Sequence, residues 1–376
     1  MASILTLLWN PGNEAISAGG FRRTKEILER HTKDQGSLIV LDSHPSFMRG
    51  VNKDAIKLYE YFIPSMIKKL ERDYFTLERI LEWKYAVLAM FFTAVKLRRE
   101  FDVVYVPYSE IAVTFLPAAL IKFFLRKKIV LCNLNTDDSS FTRPFNNFVH
   151  NHADKVFTIS KDLAKGLGEQ GIKQKMEINY TGLDVSLLNK IHLQKKQYDA
   201  IFIGRHVKTK GIYDYLAMLP EMVKKYPDFK FASIGACTPD IEQELKAKLA
   251  KLKLTQHWDI LGIVDEAEKY RLIKSATVMW FLSTLEGWGI APQEALACGT
   301  LPICYDLPVY KESIRNCQAA TFVKIGDWKS AVKETIRLRQ LSKMAKSSLV
   351  IEGKEFVKRF DWEEIAKREF AIIASV

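Results

Sequence analysis

Short apolar runs alternate with helical patterns along nearly the whole chain, and this alternation restricts the fold more than any other feature. Apolar runs bounded by polar residues are typical of buried strands. When helical segments separate such strands, a parallel, doubly wound sheet is expected. The predicted strands are residues 4–9, 37–42, 103–106, 128–134 and 153–160 in a first series, and 198–203, 230–234, 258–261 and 278–282 in a second.

The two series are separated by the polar, lysine-rich segment 187–197, which is predicted to be an interdomain linker. Within the first series, residues 54–100 are predicted to form one long helical stretch. A chain of 376 residues is long enough for two domains of ordinary size. We therefore expect an α/β protein with two Rossmann-like domains.

The net charge of +12 allows three kinds of anionic partner, namely nucleic acid, a membrane face or phosphorylated substrates. Basic and apolar residues interleave in segments 63–72 and 118–128. The second segment has the pattern of a helix with a hydrophobic face and a basic end. Such a helix either packs on a core with cations at its negative end or lies on an anionic membrane, and the sequence allows both.

The cysteines and the N-terminal residues indicate in which cellular compartment the protein is expected. The five cysteines are odd in number and have no CxxC spacing, so we expect reduced thiols in the cytoplasm. Residues 1–9 are apolar but lack a basic leader and a small-residue cleavage site, which favours a strand over a signal peptide. The sequence contains no run of eighteen apolar residues, so no membrane span is predicted. The expected location is the cytoplasm, at the membrane face if the basic helices bind lipid.

One segment combines a strand, a glycine-rich loop and a helix with two carboxylates. Residues 277–282 have the pattern of a buried strand, and Glu286 lies in the loop that follows. Pro292 is at a position where the first turn of a helix tolerates proline, and Gly299 ends the helix that contains Glu294. We expect Glu294 in the first turn of that helix. Ligands bind at such strand ends in open α/β sheets.

The run from Glu286 to Pro302, EGWGIAPQEALACGTLP, resembles the E-x7-E signature of the large retaining family of GT-B glycosyltransferases, glycosyl transferases group 1. Trp288 replaces the usual phenylalanine. The resemblance implies two Rossmann-like domains with parallel sheets facing a cleft. It implies an acceptor-side domain of residues 1–190, completed by a C-terminal helix at 362–376, and a nucleotide-sugar-binding domain of residues 191–361.

The segment 202–211, FIGRHVKTKG, resembles the phosphate site of that family, with Arg205 and Lys210 as its two cations and Gly204 beside them. Negative charge grows on the nucleoside diphosphate as it leaves the sugar, and two fixed cations with a helix N-terminus would stabilise it. Arginine can bind two oxygens at once, whereas lysine acts as a compact point charge. Lys208 is a competing candidate, although the spacing favours Lys210.

The same resemblance assigns roles to the other residues of this region. Glu294 would accept hydrogen bonds from the ribose hydroxyls, and Glu286 would contact hydroxyls of the transferred sugar. Residues near the donor would be Gly287, Trp288, Gly289 and Ile290 after the strand, and Ile263 and Val264 beside the nucleotide base.

In the first domain, Gly19 and Gly20 resemble the glycine loop that faces the donor phosphates and the acceptor. Many family members have a histidine at the place where this chain has Asn135, which cannot take a proton. Asp137 or Asp138 would then orient the acceptor hydroxyl. These two aspartates could also bind a divalent cation, but the resemblance implies that protein cations replace metal, so no metal or other cofactor is expected.

The resemblance therefore implies a retaining glycosyltransferase that moves a sugar from a nucleotide-diphospho donor to a glycan or lipid-linked acceptor, with GDP-mannose slightly favoured. A nucleotide-sugar hydrolase or epimerase is the alternative within the fold, but it needs a placed base and none is evident near Asn135. A basic nucleic-acid-binding protein is the alternative from another class. It would interleave aromatic and basic residues near the glycine loops, and these clusters are absent from the sequence there.

Overall fold

The chain forms two compact units, Met1–Thr181 with Trp362–Val376 and Gly182–Asp361. The computed structural model describes residues 2–9, 19–32, 35–43, 54–61, 77–109, 111–135, 142–192 and 195–376. Each unit is built on one parallel sheet, which confirms the prediction of two Rossmann-like α/β domains. In the described part of the chain, no helix is both long enough and apolar enough to cross a membrane.

The first unit has a seven-stranded sheet of order β3-β2-β1-β4-β5-β6-β7, and every strand pair in it is parallel. Its central strands are buried throughout, because helices pack on both of their faces. The strands are β1 (Ile4–Leu7), β2 (Leu38–Asp42), β3 (Ile56–Glu60), β4 (Val103–Val106), β5 (Lys128–Asn133), β6 (Lys155–Thr158) and β7 (Glu177–Ile178). The helices are α1 (Gly19–Glu29), α2 (Leu77–Lys96), α3 (Ala112–Leu125), α4 (Arg143–Asn151) and α5 (Lys161–Glu169).

The prediction of one helical stretch over residues 54–100 is wrong at its beginning. Ile56–Glu60 forms the strand β3, which pairs in parallel with all five residues of β2. Only Ile56 of this strand is buried, because β3 lies at the edge of the sheet. A half-exposed strand of five residues lacks the apolar run that marked the central strands, so its pattern did not separate it from the helix α2.

The second unit has a six-stranded parallel sheet of order β10-β9-β8-β11-β12-β13. Its short helix α6 (Val185–Lys190) lies before residue 191, where the second domain was expected to begin. The strands are β8 (Tyr198–Ile203), β9 (Phe231–Ile234), β10 (Trp258–Ile260), β11 (Ala276–Phe281), β12 (Leu301–Tyr305) and β13 (Thr321–Val323). The other helices are α7 (Ile212–Lys225), α8 (Pro239–Lys251), α9 (Glu266–Lys274), α10 (Ile290–Cys298), α11 (Tyr310–Ser313), α12 (Trp328–Gln340) and α13 (Lys343–Val357).

The C-terminal helix α14 (Trp362–Ala374) is part of the first unit, where a buried ion pair joins it to α1. Arg23 of α1 donates to both carboxylate oxygens of Glu369, and neither side chain is exposed. Tyr105 and Asn179 donate to the same carboxylate. A buried carboxylate needs this many donors, because burial without partners would be costly.

Candidate functional site

The second sheet has a topological switch point between β8 and β11, and the predicted site residues lie beside it. The two strands pair in parallel, so their carboxyl ends are at the same edge of the sheet. The chain continues from β8 into the turn with Arg205 and Lys210, and from β11 into the loop with Glu286. Ligands bind outside the carboxyl ends of strands at such a point in open α/β sheets.

The turn after β8 passes very close to the end of β9. A Cβ at Gly235 would lie 2.1 Å from the carbonyl oxygen of Gly204, so no side chain fits there. Arg205 follows directly and is exposed. Its guanidinium has no hydrogen bond or ion pair with the residues that the structure describes, which leaves it available to an anion.

Beneath this turn His206 is fully buried, with Nε2 2.8 Å from Ser233 Oγ. Trp258 Nε1 also donates to Ser233 Oγ. The amide of His206 donates to the carbonyl of Ala236. Burial lowers the pKa of His206, although the Ala236 carbonyl acts in the opposite direction. The neutral imidazole therefore anchors the turn that presents Arg205.

The Lys210 turn is fixed against the end of β11. Gly211 has φ of +80°, and a Cβ there would lie 2.5 Å from the carbonyl oxygen of Leu282. Tyr215 Oη donates to the carbonyl of Lys210 at 2.8 Å and accepts from the amide of Leu282 at 3.0 Å. The amide of Thr284 donates to Thr209. These contacts hold the loops after β8 and β11 in one arrangement.

Lys210 and Glu286, predicted from separate motifs, form an ion pair. The Lys210 Nζ lies 2.5 Å from Glu286 Oε1, and the two side chains are 18% and 10% exposed. Burial and the Glu286 charge both raise the pKa of the Cys304 thiol, and burial also raises that of the Tyr310 hydroxyl. Those two groups stay neutral and add no negative charge beside Glu286, whose countercharge comes from Lys210. Lys208 is exposed.

Glu294 is buried in α10, where its Oε1 accepts from Lys269 Nζ at 2.8 Å. Tyr270 Oη lies 3.2 Å from the same oxygen and closer, at 2.8 Å, to Glu266 Oε1. The prediction that Glu294 lies in the first turn is wrong, because the helix begins at Ile290. Sequence reasoning also missed Lys269 and Tyr270. They come from α9, and no motif or spacing connected that helix to Glu294.

The loop between the two glutamates is shaped by its glycines. Gly289 has φ of +83°, and a Cβ there would lie 2.6 Å from the Tyr310 ring. Trp288 is buried, donates to Gln293 Oε1 at 3.0 Å and contacts the Phe360 ring. Among the other residues expected near the donor, Gly287 and Ile263 are exposed, and Ile290 and Val264 are half-buried.

In the first unit, Gly19 and Gly20 are the first residues of α1. A Cβ at Gly20 would lie 2.9 Å from Leu134 Cδ1, so the helix start passes close to the end of β5. Asn135 follows β5 and is exposed. Asp137 and Asp138 lie outside the described residues. Within the described ranges, no group of three His, Cys, Asp or Glu side chains could hold a metal ion.

Residues 186–348 match the model of the family described as glycosyl transferases group 1. This segment lies entirely within the second unit. The second unit belongs to the group 1 glycosyl transferases. Together with the two parallel sheets, the match confirms the recognition of a GT-B glycosyltransferase of this family.

Relatives of this group 1 unit include a phosphatidyl-myo-inositol mannosyltransferase from Mycolicibacterium smegmatis, which is 27% identical over 47% of this chain and 45% of its own length. A GDP-mannose:cellobiosyl-diphosphopolyprenol alpha-mannosyltransferase from Xanthomonas oryzae is 23% identical over 45% of this chain and 44% of its own length. The chain thus spans less than half the length of these relatives.

The whole chain is similar in fold to the crystal structure of Anabaena HepE in complex with UDP. The TM-score is 0.76 over 100% of both chains, at 15% sequence identity. The similarity therefore extends beyond the group 1 unit to the first unit, and at this identity it concerns the fold.

Proposed function

We propose that the chain is a retaining glycosyltransferase that moves a sugar from a nucleotide-diphospho donor to a lipid-linked or glycan acceptor. The observation that carries this proposal is the Lys210–Glu286 ion pair beside the unpaired Arg205, at the switch point of the second sheet. In the donor, the diphosphate and the sugar are joined through one oxygen. Arg205 and Lys210 would bind the diphosphate, and the Glu286 carboxylate would bind the sugar.

In the proposed reaction the bond between the anomeric carbon and the phosphate oxygen breaks, and both electrons stay on the leaving diphosphate. Arg205 and Lys210 stabilise the charge that grows there. The acceptor hydroxyl attacks the same face of the sugar that the phosphate leaves. Its proton passes to the departing phosphate, so no protein base is required where Asn135 replaces the family's histidine.

The ion pair suggests an order of events. Without donor, Lys210 neutralises Glu286, which keeps a partly buried carboxylate from standing uncompensated. A bound diphosphate competes for Lys210, and the sugar hydroxyls then replace the lysine as donors to Glu286. The proposed switch ties the placement of the sugar to the presence of the phosphates.

Glu294 is proposed to accept hydrogen bonds from the ribose. Lys269 donates to Glu294 Oε1, and the Tyr270 hydroxyl lies beside the same oxygen, so the two side chains orient the carboxylate. Ile263 is exposed at the loop after β10, where an apolar side chain would cover a nucleotide base. Both assignments rest on the proposed donor.

GDP-mannose is the favoured donor, because two relatives of the second unit are named as mannosyltransferases. The names of both also specify lipid acceptors, which supports a lipid-linked acceptor here. The proposal includes a cytoplasmic location with peripheral membrane contact, and no metal cofactor, since Arg205 and Lys210 do what a metal would do at the leaving group.

A donor screen tests the proposal. GDP, UDP and their sugars are compared by thermal shift of the purified chain, and donors that bind are assayed with lipid-linked acceptors in excess EDTA. Transfer in EDTA, with the product retaining the anomeric configuration of the donor by NMR, is the expected result. Loss of transfer in EDTA with rescue by manganese would overturn the metal-free site, and release of free sugar alone would make the chain a hydrolase.

A further inference from the structure

Four phenylalanines of the first unit form one contiguous patch at the C-terminal ends of α2 and α3. The Phe91 ring lies 5.6 Å from that of Phe92 and 5.7 Å from that of Phe124, and Phe123 is 5.0 Å from Phe124. Phe92, Phe123 and Phe124 are 59%, 77% and 61% exposed. We call these four residues the aromatic patch. Contiguous exposed aromatic rings on a folded unit mark an interaction surface.

Within the two helical segments that carry the aromatic patch, the charged side chains are cations, and Glu82 and Glu100 flank the first segment. No aspartate or glutamate occurs between Trp83 and Arg99 or between Ile111 and Lys128. Asp154, the carboxylate that meets this end of α3, is bound to Lys122 and Lys128. The exposed cations of these two segments and of the turns that follow them are Lys84, Lys96, Arg98, Arg99, Arg126 and Lys128.

Arg126 occupies a backbone position that favours glycine. It caps α3 in the left-handed conformation, with φ of +56°. This conformation strains a residue with a Cβ by about 1 kcal/mol, and glycine is usual at such a cap. The guanidinium is exposed and makes no hydrogen bond or ion pair within the described part of the chain. Within the described residues, no contact of the Arg126 guanidinium stabilises the folded unit enough to offset this strain.

We infer that the aromatic patch and the cations beside it dock on an anionic lipid surface. Exposed phenylalanines insert into the boundary between headgroups and acyl chains, and lysine and arginine bind the acidic headgroups. A second copy of the chain fits less well, because an isologous contact would bring the exposed cations of these two segments against each other. The inference rests on this surface alone and does not require the proposed sugar transfer.

Vesicle co-sedimentation of the full chain without any nucleotide tests the inference. We expect binding to phosphatidylcholine vesicles that contain phosphatidylglycerol, weak binding to phosphatidylcholine alone, and release as salt is raised. The double variant Phe123→Ser, Phe124→Ser should bind roughly tenfold more weakly or worse. The matched control is Met344→Ser, Ile351→Ser, which removes exposed apolar side chains from α13 in the other unit and should bind as the wild type does.

Arg126→Gly separates a lipid role from a structural one. The substitution removes strain and should raise the melting temperature, yet it should weaken binding to anionic vesicles about fivefold, the effect of one lost cation. Lys253 is the matched control, since it is also exposed and has φ of +58°. Lys253→Gly should raise the melting temperature in the same way and leave vesicle binding unchanged.

Three outcomes would overturn the inference. The first is equal affinity for neutral and anionic vesicles, or none for either. The second is that Arg126→Gly and Lys253→Gly weaken binding to anionic vesicles equally, which would show that the effect comes from the lower net charge alone. The third is concentration-dependent self-association that the Phe123, Phe124 variant abolishes, which would assign the aromatic patch to a second copy of the chain.

Discussion

Lys210 and Glu286 each hold the other in place, and a bound diphosphate would compete with Glu286 for Lys210. Their separation of 2.5 Å and their low exposure make the pair a partly desolvated one. Removing one partner from such a pair leaves the other uncompensated, so single substitutions here change more than one interaction. Substitutions of the two residues are therefore expected to be non-additive.

The two glutamates should separate by what they bind. Glu294→Ala should weaken both the free nucleoside diphosphate and the full donor, because the ribose is common to both. Glu286→Ala should leave the affinity for free nucleotide unchanged or slightly higher, since it releases Lys210, and should lower turnover. Calorimetry with nucleotide alone, compared with turnover on the sugar donor, measures this. Equal loss of nucleotide affinity in both variants would contradict the division of roles.

His206 should make stability depend on pH. Burial lowers its pKa below the usual value of 6.5. The imidazole therefore binds a proton more strongly in the unfolded chain than in the folded chain. Its contribution to the free energy of unfolding is complete above about pH 6.5 and is lost as the pH falls below that value. Urea denaturation between pH 5 and 8 should give a shallower dependence for His206→Gln than for the wild type. An unchanged slope would exclude His206 as the group responsible.

Motifs in the sequence predicted where Arg205, Lys210 and Glu286 lie, because each follows directly from a strand end whose position the apolar pattern fixes. They did not predict that Lys210 and Glu286 pair, since that contact joins two loops far apart in sequence. Lys269 was missed for the same reason. Its contact with Glu294 depends on how α9 packs on α10, which no local pattern encodes.

At the scale of helices and strands, burial decided what the sequence could predict. The central strands of both sheets are covered on both faces and so appear as apolar runs. The edge strand β3 has one buried residue and was missed. The start of α10 was placed too late, because Pro292 suggested the first turn while the left-handed Gly289 is the residue before the helix.

The helix α14 should depend on its buried ion pair with α1. Glu369→Ala leaves Arg23 buried with no carboxylate and should destabilise the first unit by about 3–5 kcal/mol. The double variant Arg23→Met, Glu369→Leu should recover part of this loss, because it removes the unpaired guanidinium, whereas Tyr105 and Asn179 still lose the carboxylate to which they donate. Urea denaturation, with amide hydrogen exchange of residues 362–376, measures both. Equal loss in the single and double variants would mean that packing, not the unpaired charge, determines the stability.

At the scale of the whole molecule, the alternating pattern predicted two parallel sheets, and both are present. Strand order within each sheet was not available from the pattern, since it depends on which side of the first strand each later strand is added. That order is what places the switch point between β8 and β11. It brings the Arg205 turn and the Glu286 loop to one edge, and the proposed reaction depends on this convergence.

The most direct test of the phosphate site is turnover of three lysine and arginine variants in the same turn. Arg205→Ala and Lys210→Ala should each cost about 2–4 kcal/mol of transition-state stabilisation, because each removes a cation from the leaving diphosphate. Lys208→Ala is the matched control, an exposed lysine two residues from Lys210 that should stay within about threefold of the wild type. If Arg205→Ala and Lys210→Ala turn over like the wild type with the fold intact, the phosphate site is not here.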